Sequence, residues 1–293
     1  MLLGAVEAGG TKFVCAVGNE NGEVLERIRI DTTTPEETLS KVFEFFKERE
    51  VEAIGLGFFG PLDLNEKSET YGYITTTPKE AWRNYDVLGA FKDNFQLPVV
   101  LDTDVNAACM GEAVWGAAKG LKNCLYLTIG TGVGGGAMVD GNLVHGMLHP
   151  EMGHILLRRH SDDDFQGICP WHKDCLEGMV SGPALIKRIK GKDVMELKEE
   201  DEVWEFYAYY LAQALVNYIL ILSPEKIILG GGVMKQEHLL KKIQFKVKEL
   251  LADYVAHDNV KDGIEGYIVL PGLGDNAGIS GGLALAKKAL LNK

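Results

Sequence analysis

The chain has 293 residues, 46% of them hydrophobic and 25% charged, and a formal net charge of −12. The length allows one large domain or about two, the composition is that of a soluble globular protein with sizeable cores, and the acidic balance excludes a nucleic-acid surface, which needs a basic patch. Residues 1–7 lack the basic flank and small-residue cleavage site of a signal peptide, and Cys15, Cys109 and Cys124, at apolar positions, read as reduced thiols of a cytoplasmic protein.

Residues 2–6 and 13–17 are apolar runs of strand length joined by Glu7-Ala8-Gly9-Gly10-Thr11-Lys12, a strand–glycine turn–strand unit. Glycines let a backbone approach a ligand closely, and their free N–H groups suit phosphate oxygens. Thr11 adds a hydroxyl and Lys12 a charge. An ordinary hairpin turn reads the same way, and the Walker pattern is absent. Residues 23–30 read as a third strand. Polar caps, a proline and two acids over residues 31–37 then start a helix that runs to about residue 50. Residues 53–58 form a buried strand that leads into Gly60-Pro61, a tight turn where ligand contacts are common. The hydroxyls of residues 75–77 beside Trp82 suit a sugar, although any polar loop shares this composition.

Residues 98–101 are another buried strand, feeding Asp102-Thr103-Asp104-Val105-Asn106 and a helix over about residues 107–118. A carboxylate at a helix N-terminus is stabilised in its ionised form. This makes Asp104 a candidate catalytic group, with helix capping by Asp102 or Asp104 as the plain alternative. Asn106 adds a neutral amide for a polyol. Residues 125–129 form a strand followed by Gly130-Thr131-Gly132-Val133-Gly134-Gly135-Gly136, which contains a literal G-x-G-x-x-G. A dinucleotide fold requires a helix next. Residues 137–139 continue instead as strand and turn back at residues 140–142, so the unit is a hairpin with a second phosphate-binding turn and Thr131 as its hydroxyl donor.

Two of five cysteines and four of seven histidines fall within residues 149–177. His154, Cys169, His172 and Cys175 are the ligand types of a closed tetrahedral zinc site. Glu151 and Glu177 lie beside these ligands and are free to bind something else. HExxH is absent, so the metal is not that of a metalloprotease. Residues 179–184 are a polar turn at a helix start. Residues 204–222 are apolar, but Glu205, Gln213 and Asn217 interrupt them and Pro224 follows, which marks a buried core helix rather than a membrane span. A strand at 226–229 enters a third glycine turn, 230–234, suited to a nucleoside, and a helix follows from about residue 236. A strand at 266–270 and a small-residue helix at 277–291 end the chain. The two halves are alike in outline, each opening with a strand–glycine turn–strand unit that carries Thr11 or Thr131.

Taken together these motifs resemble the ROK family of sugar kinases, within the actin-like ATPase fold, and its fructokinase branch in particular. E-A-G-G-T-K is similar to the family's first phosphate loop, 130–136 to its second, 229–234 to its adenosine loop, Thr103 to Asn106 to its sugar and base motif, and 149–177 to its zinc and sugar signature. Many relatives carry Asp where Glu7 stands and a Cys-rich knuckle where His172 stands. The resemblance implies an α/β chain with two actin-like ATPase (ribonuclease H-like) domains around a cleft. The first would be residues 1–117, completed by a C-terminal helix over about 277–293, and the second 118–276, with an inserted zinc-binding loop at 149–178. It implies ATP-dependent phosphorylation of D-fructose at its 6-hydroxyl, with Mg²⁺ bridging the phosphates. Asp104 would accept the hydroxyl proton, and Asn106, Glu151, His154 and Glu177 would hold sugar hydroxyls. Gly9, Gly10, Thr11, Lys12, Thr131, Gly132, Val133 and Gly134 would hold phosphates, and Pro183, Gly231 and Gly232 would pack around adenosine. Zn²⁺ on His154, Cys169, His172 and Cys175 would be structural, and the protein a cytoplasmic homodimer. The alternatives are a mannokinase or broad-specificity hexose kinase, a sugar-binding module, and a sugar-responsive repressor. A repressor is expected to carry a DNA-binding domain before the first loop, which here begins at Glu7.

Overall fold

A computed structural model describes residues 1–291; residues 292–293, which the expected last domain segment included, lie outside the described residues. The first half contains β1 (Leu2–Ala8), β2 (Lys12–Asn19), β3 (Val24–Asp31), α1 (Pro35–Lys47), β4 (Ala53–Phe58), the short pair β5 (Tyr73–Ile74) and β6 (Tyr85–Asp86), α2 (Val87–Asn94), β7 (Val99–Thr103) and α3 (Asp104–Val114). The second contains β8 (Cys124–Ile129), β9 (Val133–Val139), β10 (Asn142–Leu143), α4 (Leu176–Val180), α5 (Gly182–Arg188), α6 (Val203–Leu222), β11 (Lys226–Gly230), α7 (Glu237–Leu251), α8 (Asp258–Lys261), α9 (Ile264–Tyr267), β12 (Ile268–Val269) and α10 (Ala277–Leu291).

Two five-stranded mixed sheets repeat one order, β3-β2-β1-β4-β7 and β10-β9-β8-β11-β12. In each, the opening strand pairs antiparallel with the strand after its glycine turn and parallel with the strand on its other side. Strand periodicity divides the cores, because successive side chains face opposite ways. Val6 and Ala8 of β1 join Phe13, Leu39, Val42, Phe46 and Phe91 under α1 and α2, whereas Leu3 and Ala5 meet Ile279, Leu283 and Ala286 of α10. Leu125, Leu127 and Ile129 of β8 pack on Trp204, Leu211 and Leu215 of α6 and Ile243 of α7, whereas Cys124 and Tyr126 face Ala108 and Cys109 of α3. Helices α3 and α10 therefore lie between the two sheets. Gly281 sits against the Ala107 carbonyl, where a Cβ would not fit.

Several elements depart from the sequence reading. Helix α1 ends at Lys47 because the chain turns there to let the Glu52 N–H donate to the Leu2 carbonyl at 2.9 Å. Helix α3 starts at Asp104 and stops at Val114. Its cap is the Thr103 hydroxyl, which accepts the Asn106 N–H at 3.1 Å, so neither Asp102 nor Asp104 is the cap. Helices α2, α8 and α9 were not anticipated, and α9 takes residues expected in strand, leaving β12 with two. Trp82 is not an open aromatic surface: it is 1% exposed, packed on Phe13, Phe58 and Phe59. Among the described residues no helix is long and apolar enough to cross a membrane, and all five cysteines are free thiols.

Candidate active site

The two glycine turns open onto one cleft of about 1190 Å³. In the first, the Gly9 N–H closes the turn on the Lys12 carbonyl at 2.9 Å, while those of Gly10 and Thr11 have no backbone acceptor among the described residues. In the second, the Gly130 N–H closes on the Gly132 carbonyl at 2.8 Å, and those of Thr131 and Gly132 are likewise open. Each turn thus presents two consecutive N–H donors, the arrangement that suits phosphate oxygens. Of the residues expected to hold phosphates, Gly9 and Val133 have their N–H groups already engaged. Gly9 uses its own in the turn, and the Val133 N–H donates to Glu177 Oε2 at 3.0 Å.

Asp104 stands between the turns at the start of α3. Val105 and Asn106 lie directly against the backbone of β9 because Gly136 has no Cβ to fill that space, so the helix start is held on the second sheet. The Asp104 carboxyl opens into the cleft and accepts the Val105 N–H at 2.9 Å. Burial, with smaller contributions from Glu7 and Glu151, outweighs that hydrogen bond and raises its pKa to about 7. The expectation of a carboxylate kept ionised by the helix terminus is thereby corrected, since desolvation is the larger effect. Burial likewise pushes Glu7 upward, while Lys12 opposes it.

The segment after β10 supplies the other cleft wall. His149 is 8% exposed and its Nε2 accepts the Leu62 N–H at 3.1 Å. The ring proton is therefore on Nδ1, which faces Glu151 Oε1 at 3.6 Å. His154 Nδ1 lies 3.8 Å from Cys169 Sγ and 3.5 Å from Cys175 Sγ, and Cys169 Sγ lies 3.8 Å from His172 Nδ1. One ligand atom from each of the four residues falls within 4.8 Å of all the others. Donor type, number and spacing fit a tetrahedral metal site. His154 Nε2 is turned away from that group, toward Glu177 Oε1 at 4.0 Å.

The sequence pattern described as the ROK family matches residues 3–289. The chain belongs to the ROK family. It is 49% identical to a fructokinase of Pediococcus pentosaceus over 292 residues, covering 100% of both chains. It is 44% identical to a fructokinase of Streptococcus mutans, covering 98% of each. Among solved structures it is similar to a ROK family glucokinase from Streptomyces griseus in complex with glucose and AMPPNP, at 25% identity and a TM-score of 0.75, covering 98% of this chain and 100% of that one.

Of the residues that the ROK resemblance named, the cleft gathers Gly9 to Lys12, Asp104, Thr131 to Gly134, Glu151, His154 and Glu177. Asn106 is not among them. It is 1% exposed, its Nδ2 donates to Asp102 Oδ1 at 2.8 Å, and His145 Nε2 lies 3.3 Å away. A buried network with Asp102 takes the amide expected for a polyol. Pro183, Gly231 and Gly232 do not line the cleft but border its second turn. The Gly182 N–H donates to the Gly130 carbonyl at 2.7 Å, and Gly232 N is 4.0 Å from where a Gly130 Cβ would stand. Thr76 and Thr77, two of the hydroxyl residues that the sequence marked as suited to a sugar, line the cleft, while sequence reasoning missed Arg83 and Trp171, which also line it. Trp171 is 82% exposed and sits between two candidate metal ligands. An indole left open by that short loop was the available signal.

Proposed function

We propose that this chain is an ATP-dependent fructokinase that converts D-fructose and ATP to D-fructose 6-phosphate and ADP. The observation that carries the chemistry is that two turns with open N–H donors and the Asp104 carboxyl line one cleft. The full-length identity to fructokinases supports the sugar. Glu151, His154 and Glu177 hold sugar hydroxyls on one wall, and the turns at Gly10–Thr11 and Thr131–Gly132 hold the phosphates. Gly231, Gly232 and Pro183 border the second turn and pack around adenosine. Asp104 accepts the proton of the 6-hydroxyl as its oxygen bonds to the terminal phosphorus, and the bond to the ADP oxygen breaks. A pKa of about 7 suits a base that must gain and release a proton near neutrality.

Both metals are part of the reading. Mg²⁺, when bound with ATP, supplies neutralisation of phosphate charge. The four donors of His154, Cys169, His172 and Cys175 suit Zn²⁺ in a closed set that leaves no position for substrate, so its role is structural. With Nδ1 toward the metal, His154 keeps a proton on Nε2 for the sugar side. The repeated sheet order supports a two-domain actin-like arrangement, with α10 completing the first domain and residues 149–178 inserted in the second. A homodimer and a cytoplasmic location complete the reading on family likeness alone. Turnover of ATP with fructose, mannose and glucose tests it. Fructose is expected to give the highest kcat/KM. A higher value for mannose would make the chain a mannokinase, and sugar binding without turnover would make it a binding module or regulator.

A further inference from the structure

The loop over residues 75–83 is held far more firmly than its polar composition suggests. Trp82 is buried, and its indole N–H donates to the Thr33 carbonyl at 2.7 Å. Thr77 is 2% exposed, and Arg83 Nη2 and Nε donate to its carbonyl at 3.0 and 3.3 Å. The Thr77 hydroxyl accepts the Lys79 N–H at 3.3 Å, and the Lys79 carbonyl accepts the Trp82 N–H at 2.9 Å. These contacts fix the backbone on both sides of Lys79. Its side chain lies over the first glycine turn: Lys79 Cε is 3.1 Å from where a Cβ on Gly10 would stand. Gly10 is thus open to two approaches, by a ligand at its N–H and by the Lys79 stem at its Cα.

Lys79 Nζ has no carboxylate partner among the described residues, in a chain with a net charge of −12. The cleft is lined by the carboxylates of Glu7, Asp104, Glu151 and Glu177, and its cationic lining residues are Lys12 and Arg83. Arg83 is turned onto its own loop. A polyanion entering this cleft needs more positive charge than these two supply. The second turn abuts Gly232 and so, with adenosine packed on Gly231 and Gly232 as proposed above, sits at the nucleoside end. The first turn, beside Glu7 and Asp104, is therefore at the end where a phosphoryl group is transferred.

We infer that Lys79 binds the terminal phosphoryl group of ATP over the first glycine turn and neutralises its charge during transfer. This rests on the proposed reading for the acceptor and for the adenosine end of the cleft. The test uses Lys79→Met, which keeps the aliphatic stem against Gly10, with Lys79→Arg as the charge-retaining variant. Calorimetry without sugar is expected to show ATP affinity of Lys79→Met about tenfold weaker and ADP affinity within twofold of the parent. With fructose, kcat is expected to fall roughly 10–100-fold while the fructose KM stays within twofold. Lys79→Arg is expected to recover most of both effects. Equal losses for ATP and ADP, or a Lys79→Met variant with parental ATP affinity and kcat, would overturn the inference. A parent protein inactive on every hexose would defeat the substrate reading, while the ATP and ADP affinities would still decide the role of Lys79.

Discussion

Asp104 and Asp102 lie two residues apart, yet the fold separates their roles. Asp102 is 4% exposed, accepts the Thr103 N–H and Asn106 Nδ2 on one oxygen at 2.8 Å each, and meets His145 Nε2 with the other at 2.9 Å. That contact raises the pKa of His145, with burial opposing it. Asp104 has one backbone donor and a burden of desolvation. The sign of that burden follows from linkage. A carboxyl with an ordinary value of 3.8 unfolded and about 7 folded makes folding less favourable as pH rises from 3.8 to about 7, and the full cost persists above that. Asp104→Asn removes the charge and keeps the shape. We expect kcat to fall roughly 10²–10⁴-fold, with the thermal midpoint raised over the parent more at pH 8 than at pH 5. Asp102→Asn should show the opposite pattern, with lower stability because an amide faces donors. Activity of the parent is expected to climb through pH 7 as Asp104 ionises. Near-parental kcat in Asp104→Asn, or a midpoint that falls at pH 8, would place the base elsewhere.

At the scale of elements, the zinc-type quartet and the second glycine turn form one continuous unit. Cys169 and Lys173 form a tight bridge around His172, in which Lys173 N donates to the Cys169 carbonyl at 3.0 Å, and Cys175 leads into α4 two residues before Glu177, which comes round to Val133. Glu177 therefore serves two donors, the Val133 N–H and, at longer range, His154 Nε2. Glutamine has a single acceptor oxygen, so Glu177→Gln must abandon one of them. We predict that the KM values for ATP and for fructose both rise, by about tenfold for one lost charge-assisted bond, while the protein stays folded. Stripping the metal with a chelator should raise the same two values and also lower the thermal midpoint, because metal binding is coupled to folding. An effect on fructose alone would break the proposed link. Elemental analysis is expected to find about one zinc per chain. The quartet was legible in the sequence because Cys and His are scarce and the four are close in the chain. The connection from Glu177 to Val133 was not, since it spans 44 positions and no local pattern marks it. Lys79 and Trp82 show the same limit: a polar loop with one aromatic reads as a sugar surface until the fold buries the ring.

For the whole molecule, the repeat of strand, glycine turn and strand was visible from Gly9-Gly10-Thr11 and Gly130-Thr131-Gly132, whereas the strand order that the two sheets share was not. The return of the last helix to the first half was expected from the sequence, but how that joint is fastened was not visible, because it is made by small residues and one buried acid rather than by a motif. Helices α3 and α10 cross between the sheets, and Glu112 fastens the end of one to the approach of the other. It is 0% exposed, with Oε2 accepting the N–H groups of Ala117 at 2.6 Å and Gly272 at 3.0 Å and Oε1 that of Leu273 at 3.0 Å. These three donors take the place of a counter-cation. Glu112→Gln turns an amide toward at least one of them and leaves it without an acceptor. The expected cost is about 1–3 kcal/mol, read as a lower urea midpoint with an unchanged slope. Asp104 lies about 12 Å along the same helix at 1.5 Å per residue, and its placement on β9 depends on Val105 and Gly136 rather than on Glu112. kcat should therefore fall by less than about tenfold at temperatures where the variant is folded. A variant as stable as the parent would show that the N–H groups of residues 272 and 273 find other partners, and that the joint rests on the α3–α10 crossing alone.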